Sequence, residues 1–130
     1  MPLILRNLID MLESEWTREL CKHWETIGVL SIPYIGTECA MNWPDRYITC
    51  LLWHGWIEFK NPKTILRDAQ WLNILKLQKF GTPAVVVRRT QTRKEENELV
   101  KVYVTNPKQE SARCSILQLL PTLGKLFPKT

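Results

Sequence analysis

The chain predicts an α/β domain in which helices flank a central mixed sheet, in the order helix, three strands, helix, strand. Three observations predict it. Two stretches carry apolar residues at helical spacing, short runs rich in β-branched and aromatic residues lie between them, and an unbroken apolar run directly follows the second helical stretch. At 130 residues, 45% hydrophobic and 24% charged, the chain suits a single globular domain over 1–130. A domain of this length buries about two-thirds of its unfolded surface, so it folds without disulfides or a structural metal.

In chain order, Leu5, Ile9, Leu12, Trp16, Leu20, Trp24 and Ile27 repeat at helical spacing over residues 3–27, and Gly28 ends that helix. The apolar stripe centres on Ile9, Trp16, Leu20 and Ile27, with Glu13 about 40° from its middle at ~100° per residue. A carboxylate there is either on the rim in water or paired inside, because an unpaired buried charge is costly. Val29–Ile35 and Arg46–Trp53 read as strands separated by a loop with Gly36, Asn42 and Pro44, and Trp56–Lys60 reads as a third. His54-Gly55 reads as the tight turn between the last two, and Asn61-Pro62 ends the third.

The second helix is expected over Leu66–Phe80, with Leu66, Ala69, Ile74, Leu77 and Phe80 on one broad side, Gln70 and Asn73 within that side, and Gly81 as the stop. Pro83–Val87 is a buried strand of the parallel type, joined to the previous strand by a right-handed crossover. Arg88–Glu98 is nearly all polar, Leu99–Val104 alternates like an edge strand that Asn106-Pro107 breaks, and Ser111–Leu120 reads as a short helix before a loosely held tail bracketed by Pro121 and Pro128. The core thus covers about 12–88, with a basic C-terminal hairpin and helix extension over 89–130.

The net charge of +5 is unevenly placed: residues 1–87 hold nine basic and nine acidic side chains, and residues 88–130 hold nine and four. Such asymmetry favours a polyanionic partner. Cys21, Cys39, Cys50 and Cys114 show no metal-binding spacing. No run approaches the ~20 apolar residues of a membrane span, and residues 1–5 are interrupted too early for a signal peptide, so the expectation is a cytoplasmic protein with reduced thiols and no membrane partner. His23 and His54 neighbour no candidate nucleophile, and no Gly-rich phosphate loop occurs.

Glu58-Phe59-Lys60 closes a strand, and the period of two puts the carboxylate and the ammonium on one face with Phe59 in the opposite layer. Asp45 stands thirteen residues before Glu58, in or beside the same hairpin. Two converging carboxylates can hold Mg²⁺, and a neighbouring lysine can stabilise anionic charge at phosphorus. Taken alone, an edge-strand Glu-x-Lys is more often a solvated face. Inward-facing Glu13 and Gln70 on the two covering helices give all four polar residues one common explanation.

Glu13-Ser14, Gly28, Pro44-Asp45-Arg46, Ile57 through Pro62, Gln70 and Gly81 form an ordered set over roughly Leu12–Arg88. That set resembles the virus-type replication-repair nuclease (VRR-NUC) domain, of the PD-(D/E)xK or restriction-endonuclease-like superfamily. The resemblance implies an αβββαβ core and a Mg²⁺- or Mn²⁺-dependent endonuclease acting on branched DNA, such as junctions or flaps. It also implies a homodimer or higher homo-oligomer of phage or bacterial origin. Asp45 and Glu58 would be metal ligands together with the Phe59 carbonyl, Glu13 a direct or water-mediated ligand, Lys60 the nucleophile-activating residue, and Gln70 the residue orienting Lys60 or a water.

The chain departs from the family pattern at Asn42, where members often carry glycine, and in the absence of Lys or Arg over 34–43. Phosphate contacts are expected from Arg46 and from the basic stretch Arg88, Arg89, Arg93 and Lys94, with Lys101 and Lys108 beyond it; the same composition fits a solvated loop. Trp43, Trp53 and Trp56 suit base stacking, core or a dimer interface. The hairpin register imposes a condition. A turn at His54-Gly55 would leave Asp45 some six residues, or roughly 20 Å, out of step with Glu58. The site therefore requires a turn beginning earlier, near Leu52, or a bend over 46–49. The alternative function is a catalytically inactive nucleic-acid-binding or assembly module on the same scaffold, and RNA is a possible substrate in place of DNA.

Overall fold

A computed structural model describes residues 11–34, 42–94 and 97–128, apart from the Lys94 side chain. Its elements run α1 (Glu13–Thr26), β1 (Leu30–Pro33), β2 (Arg46–Thr49), β3 (His54–Lys60), α2 (Asp68–Lys79), β4 (Ala84–Lys94), β5 (Asn97–Tyr103), β6 (Ala112–Ser115), a 3₁₀ turn (Ile116–Gln118) and α3 (Leu119–Leu126). The six strands form one sheet in sequence order, antiparallel except for the parallel β3–β4 pair that α2 bridges. The parallel pair is where the sequence places it, because the apolar run at 84–87 is buried on both faces.

Two layers of side chains cover the sheet. On one face Trp16, Leu20 and Trp24 of α1 and Leu119, Leu120 and Leu123 of α3 pack on Ile57, Phe59, Val85, Val87, Val100 and Val102. On the other, Trp71 and Ile74 of α2 pack on Ala84 and Val86. The alternation along β3 and β4 divides them: Glu58 and Lys60 share the face of α2, and Phe59 enters the larger core edge-on to Trp16, with ring centroids 5.5 Å apart.

Several expectations are corrected. The amphipathic stripe of α1 stops at Trp24, since Ile27 is 59% exposed beyond the last turn, while Leu5 and Ile9 lie outside the described residues. In α2 the buried side is Gln70, Trp71 and Ile74, with Ala69 and Phe80 in solvent. The polar stretch from Arg88 does not form the solvated loop its composition also fits; it continues β4 to Lys94 and pairs with β5, with a register shift between Arg89 and Arg93. The strand that follows, Asn97–Tyr103, is not at the edge, since β6 covers it over residues expected to be helical. Nor is the tail loose: Pro121 sits in the first turn of α3, where it removes no helical hydrogen bond, Leu123 is a core residue, and Leu126 and Phe127 pack against the core.

The hairpin turn is the decisive difference. His54 and Gly55 belong to β3, and the chain reverses over Cys50–Trp53, where the Cys50 N–H donates to the Trp53 carbonyl at 3.0 Å. The register is Arg46 with Ile57 and Thr49 with His54. Gly55 is therefore a strand glycine, required by close approach: a Cβ there would overlap the Pro83 carbonyl oxygen and lie 2.7 Å from the Trp53 ring. The earlier turn satisfies the condition the sequence set, since one step beyond Arg46–Ile57 brings Asp45 opposite Glu58.

Candidate active site

Past its pairing with Ile57, β2 gives way at Pro44-Asp45 while β3 runs on through Glu58, Phe59 and Lys60, so the sheet forks here. Proline contributes no ladder N–H, which favours the break. Asp45 closes the fork: its Oδ2 accepts the Phe59 N–H at 2.9 Å. Because the N–H and C=O of a strand residue point to the same neighbour, the Phe59 carbonyl faces this side as well.

Glu58 and Lys60, 4% and 7% exposed, lie side by side with Nζ 3.4 Å from Oε2. Gln70 completes this cluster from α2. Its Oε1 accepts the Arg67 N–H at 3.0 Å, one of the unsatisfied donors at the start of that helix, and this aims its Nε2 at Glu58 Oε2, 3.3 Å away. Gln70 thus reaches Glu58 and not Lys60. Glu13 comes from the opposite face of the sheet, at the first turn of α1, where a carboxylate suits the helix dipole. It is half-buried and accepts a hydrogen bond from the Asn61 N–H, so the start of α1 is tied to the residue after Lys60.

The electrostatics show how close these groups are. Burial and the Asp45 carboxylate push Glu58 up to about 8, against the pull of Lys60. Burial likewise raises Asp45, opposed by the Phe59 N–H, Lys60 and Arg46. Glu13 is raised by burial and by Asp45, and lowered by Lys60. Three carboxylates therefore share one desolvated corner with a single lysine among them, an arrangement short of positive charge. Oxygen donors of this kind suit Mg²⁺ or Mn²⁺, and Asp45 retains lone pairs beyond its one backbone bond. Among the described residues no three acidic, histidine or cysteine side chains are already gathered at ligand spacing; Glu58 is turned toward Lys60 and Gln70. A 520 Å³ cleft lined by Glu13, Ser14, Thr17, Asp45 and Arg46 opens onto the corner.

The expected phosphate-binding residues separate. Arg46 lines the cleft and donates to Ser31 Oγ at 3.2 Å. Arg88 is half-buried, its Nη1 2.7 Å from the carbonyls of Asn61 and Thr64. Arg93 is exposed, and the Lys94 side chain lies outside the described residues. Arg89 is corrected. It is 0% exposed, and its guanidinium binds Glu98, the Met11 carbonyl and Asn61 Oδ1, so it is a core cation and unavailable to a phosphate. Trp53 is likewise core, while Trp43 and Trp56 are half-buried in an edge-to-face cluster with Tyr34 and Tyr47. Sequence reasoning read Asn61 as a strand terminator only; it joins Glu13, Arg88 and Arg89, and its position directly after the strand-closing lysine was the available signal.

No protein-family model matches the chain, and no curated protein matches it in sequence. Among solved structures it is similar to Archaeoglobus fulgidus Hjc, a Holliday junction resolvase from an archaeal hyperthermophile, with a TM-score of 0.55 and 16% identity over 87% of this chain and 99% of that one. The likeness shows the fold: a mixed sheet flanked by helices in the restriction-endonuclease-like arrangement expected from the sequence. None of the described helices is long and apolar enough to cross a membrane.

Proposed function

We propose that this chain is a divalent-metal-dependent nuclease that hydrolyses phosphodiester bonds in branched DNA. The observation that carries the reading is the hairpin register, which sets Asp45 beside Glu58-x-Lys60 at a fork in the sheet, with Glu13 and Gln70 brought in from the two covering helices. The junction resolvase of the same fold favours branched substrates, and the ordered motifs favour a VRR-NUC type enzyme acting as a homodimer or larger assembly in the cytosol of a bacterium or its phage-infected host.

Asp45, Glu58 and the Phe59 carbonyl would hold the cation, with Glu13 at its periphery. A bound divalent ion neutralises phosphate charge and makes water a better nucleophile near neutral pH. Lys60, held beside Glu58, supplies a fixed positive charge where charge accumulates on the phosphoryl oxygens. Gln70 holds the Glu58 carboxylate in place through a hydrogen bond whose direction its own helix cap determines. Arg46 guards the cleft with a second cation.

The test is a gel comparing four-way junction, flap and linear duplex DNA, each with Mg²⁺, with Mn²⁺ and with EDTA. Cleavage of the branched substrates only with divalent metal is the expected result. Salt-sensitive binding of all three without any cleavage would replace this reading by a non-catalytic binding module, which the present turn of Glu58 toward Lys60 and Gln70 would then explain.

A pH dependence follows from Glu58. In the metal-free protein its carboxyl keeps its proton up to about pH 8, whereas in the unfolded chain it loses it near the ordinary glutamate value of 4.5. The native state therefore binds more protons in that window, and stability falls as pH rises from 4.5 to 8, at up to about 1.4 kcal/mol per pH unit. Thermal unfolding in EDTA at pH 5 and pH 8 should show the lower midpoint at pH 8, and millimolar Mn²⁺ should recover most of the difference. A midpoint that rises with pH in EDTA would contradict the burial of this carboxylate.

A further inference from the structure

The strand registers line up four cations that the sequence scatters over more than fifty residues. Lys60 of β3 pairs with Arg88 of β4, Arg88 with Lys101 of β5, and Lys101 with Arg113 of β6. Laterally paired residues project to the same face. The four side chains therefore form one row across four strands, starting at the lysine of the candidate active site. At about 4.8 Å between strands the row is roughly 14 Å long.

Like charges directly opposite one another destabilise a sheet, and this row is only partly compensated. Lys60 faces Glu58 at 3.4 Å, and Arg113 faces Glu110 at 2.6 Å on the exposed far edge. Between them, Arg88 and Lys101 have no carboxylate within ion-pair distance among the described residues, and Arg88 is held by the carbonyls of Asn61 and Thr64. Lys60 is buried at the inner end, and the face opens from Arg88 outward, with Arg88 and Lys101 half-buried and Arg113 exposed. α2 covers this side of β4 only over Ala84 and Val86, and α3 packs on the opposite side of β5, against the layer of Val100 and Val102. A 290 Å³ groove with Arg88, Thr90, Thr92, Lys101 and Arg113 in its lining follows the row outward from Arg88.

Resting on the nuclease reading, we infer that the Lys60–Arg88–Lys101–Arg113 row carries the sugar-phosphate backbone of the substrate outward from the cut, on the β4–β6 side of the site. Its length equals about four phosphate-to-phosphate steps along one DNA strand, at ~3.4 Å of rise each. Charge neutralisation of this kind reads no sequence, so it fits an enzyme that selects substrate by shape. It also extends the site beyond the residues around the fork and gives the C-terminal strands a role in DNA binding.

The experiment measures fluorescence anisotropy of a labelled four-way junction in EDTA across a salt series, which separates binding from cleavage. Lys101→Gln with Arg113→Gln should weaken binding about tenfold at low salt and reduce the slope of log K against log salt by about 1.8, or 0.9 for each phosphate no longer neutralised. A charge-matched pair on the exposed side of α1, Arg18→Gln with Lys22→Gln, should leave affinity and slope nearly unchanged. Glu110→Gln, which releases Arg113, should tighten binding two- to threefold and keeps the proposal testable if the row pair folds poorly. If the row pair and the α1 pair behave alike while the wild-type protein cuts DNA, this proposal falls and the nuclease reading stands. Row-dependent binding without metal-dependent cleavage sustains the row and removes the nuclease reading. No binding by the wild-type protein overturns both.

Discussion

Lys60→Ala is expected to lower the single-turnover rate of branched-DNA cleavage by a factor of about 10² to 10⁴ while leaving DNA affinity within a fewfold of wild type. The lysine is 7% exposed and lies 3.4 Å from Glu58, so its charge acts in a poorly solvated corner, where it is worth far more than in water. In the ground state that charge mainly offsets neighbouring carboxylates, and three other cations of the same row remain to bind phosphate. The loss should therefore fall on the chemical step. Asp45→Ala should give an equally inactive protein by a different route: its calorimetric Mn²⁺ heat disappears, while Lys60→Ala retains it. The two variants also differ without metal. Removing Asp45 removes the second-largest influence raising Glu58, whereas removing Lys60 leaves Glu58 still more reluctant to ionise. A Lys60→Ala protein that cuts within tenfold of the wild-type rate would deny the lysine any part in the reaction.

Glu98→Ala is expected to cost about 3–5 kcal/mol of stability, a large share of what holds a domain of this size folded. Arg89 and Glu98 are a fully buried pair, with side chains 0% and 1% exposed and Nε 3.2 Å from Oε2. Glu98 also accepts from the Trp16 indole at 3.1 Å and from the Gln91 N–H at 3.1 Å. Truncation leaves a desolvated guanidinium without its carboxylate and takes the acceptor from the buried Trp16 indole, at the centre of the larger core. Chemical denaturation at fixed pH measures the loss directly. Glu98→Gln should fall between wild type and Glu98→Ala, because it keeps an acceptor for Trp16 but not the charge. Arg89→Met with Glu98→Leu should regain part of the loss, since exchanging both members for apolar groups removes the stranded charge. The pair also bears on the site, because Arg89 holds the Met11 carbonyl and Asn61 Oδ1, and Asn61 is the residue that binds Glu13.

Much of this architecture was legible because periodicity is a local signal. The spacing of Trp16, Leu20 and Trp24 marks a helix face without reference to anything else in the chain, and the unbroken run 84–87 marks a strand covered on both sides. Alternation alone placed Glu58 and Lys60 together and Phe59 in the opposite layer. Gln70 stood out as a polar residue on an apolar helix face, and it meets Glu58. Composition misled where charge and burial part company. Arg88–Lys94 looks like a solvated loop, yet the same stretch includes a core cation, because an arginine with a buried carboxylate partner contributes to net charge just as an exposed one does.

Local sequence is enough to say which residues share a face, which of the long periodic segments are helix or strand, and which side chains carry chemistry worth placing together. Which residue of one strand meets which residue of another is a matter of long-range packing. The turn sits at Cys50–Trp53 instead of His54-Gly55 because Gly55 must lie flat against Pro83, a neighbour that the chain reaches only after a whole helix. That shift sets Asp45 across from Glu58, and the same kind of register sets Arg88, Lys101 and Arg113 in line with Lys60. A strand's alternation fixes the direction of its side chains to within one of two faces, but sliding it by two residues leaves that pattern unchanged; the choice between such registers is made by packing between parts of the chain that are far apart.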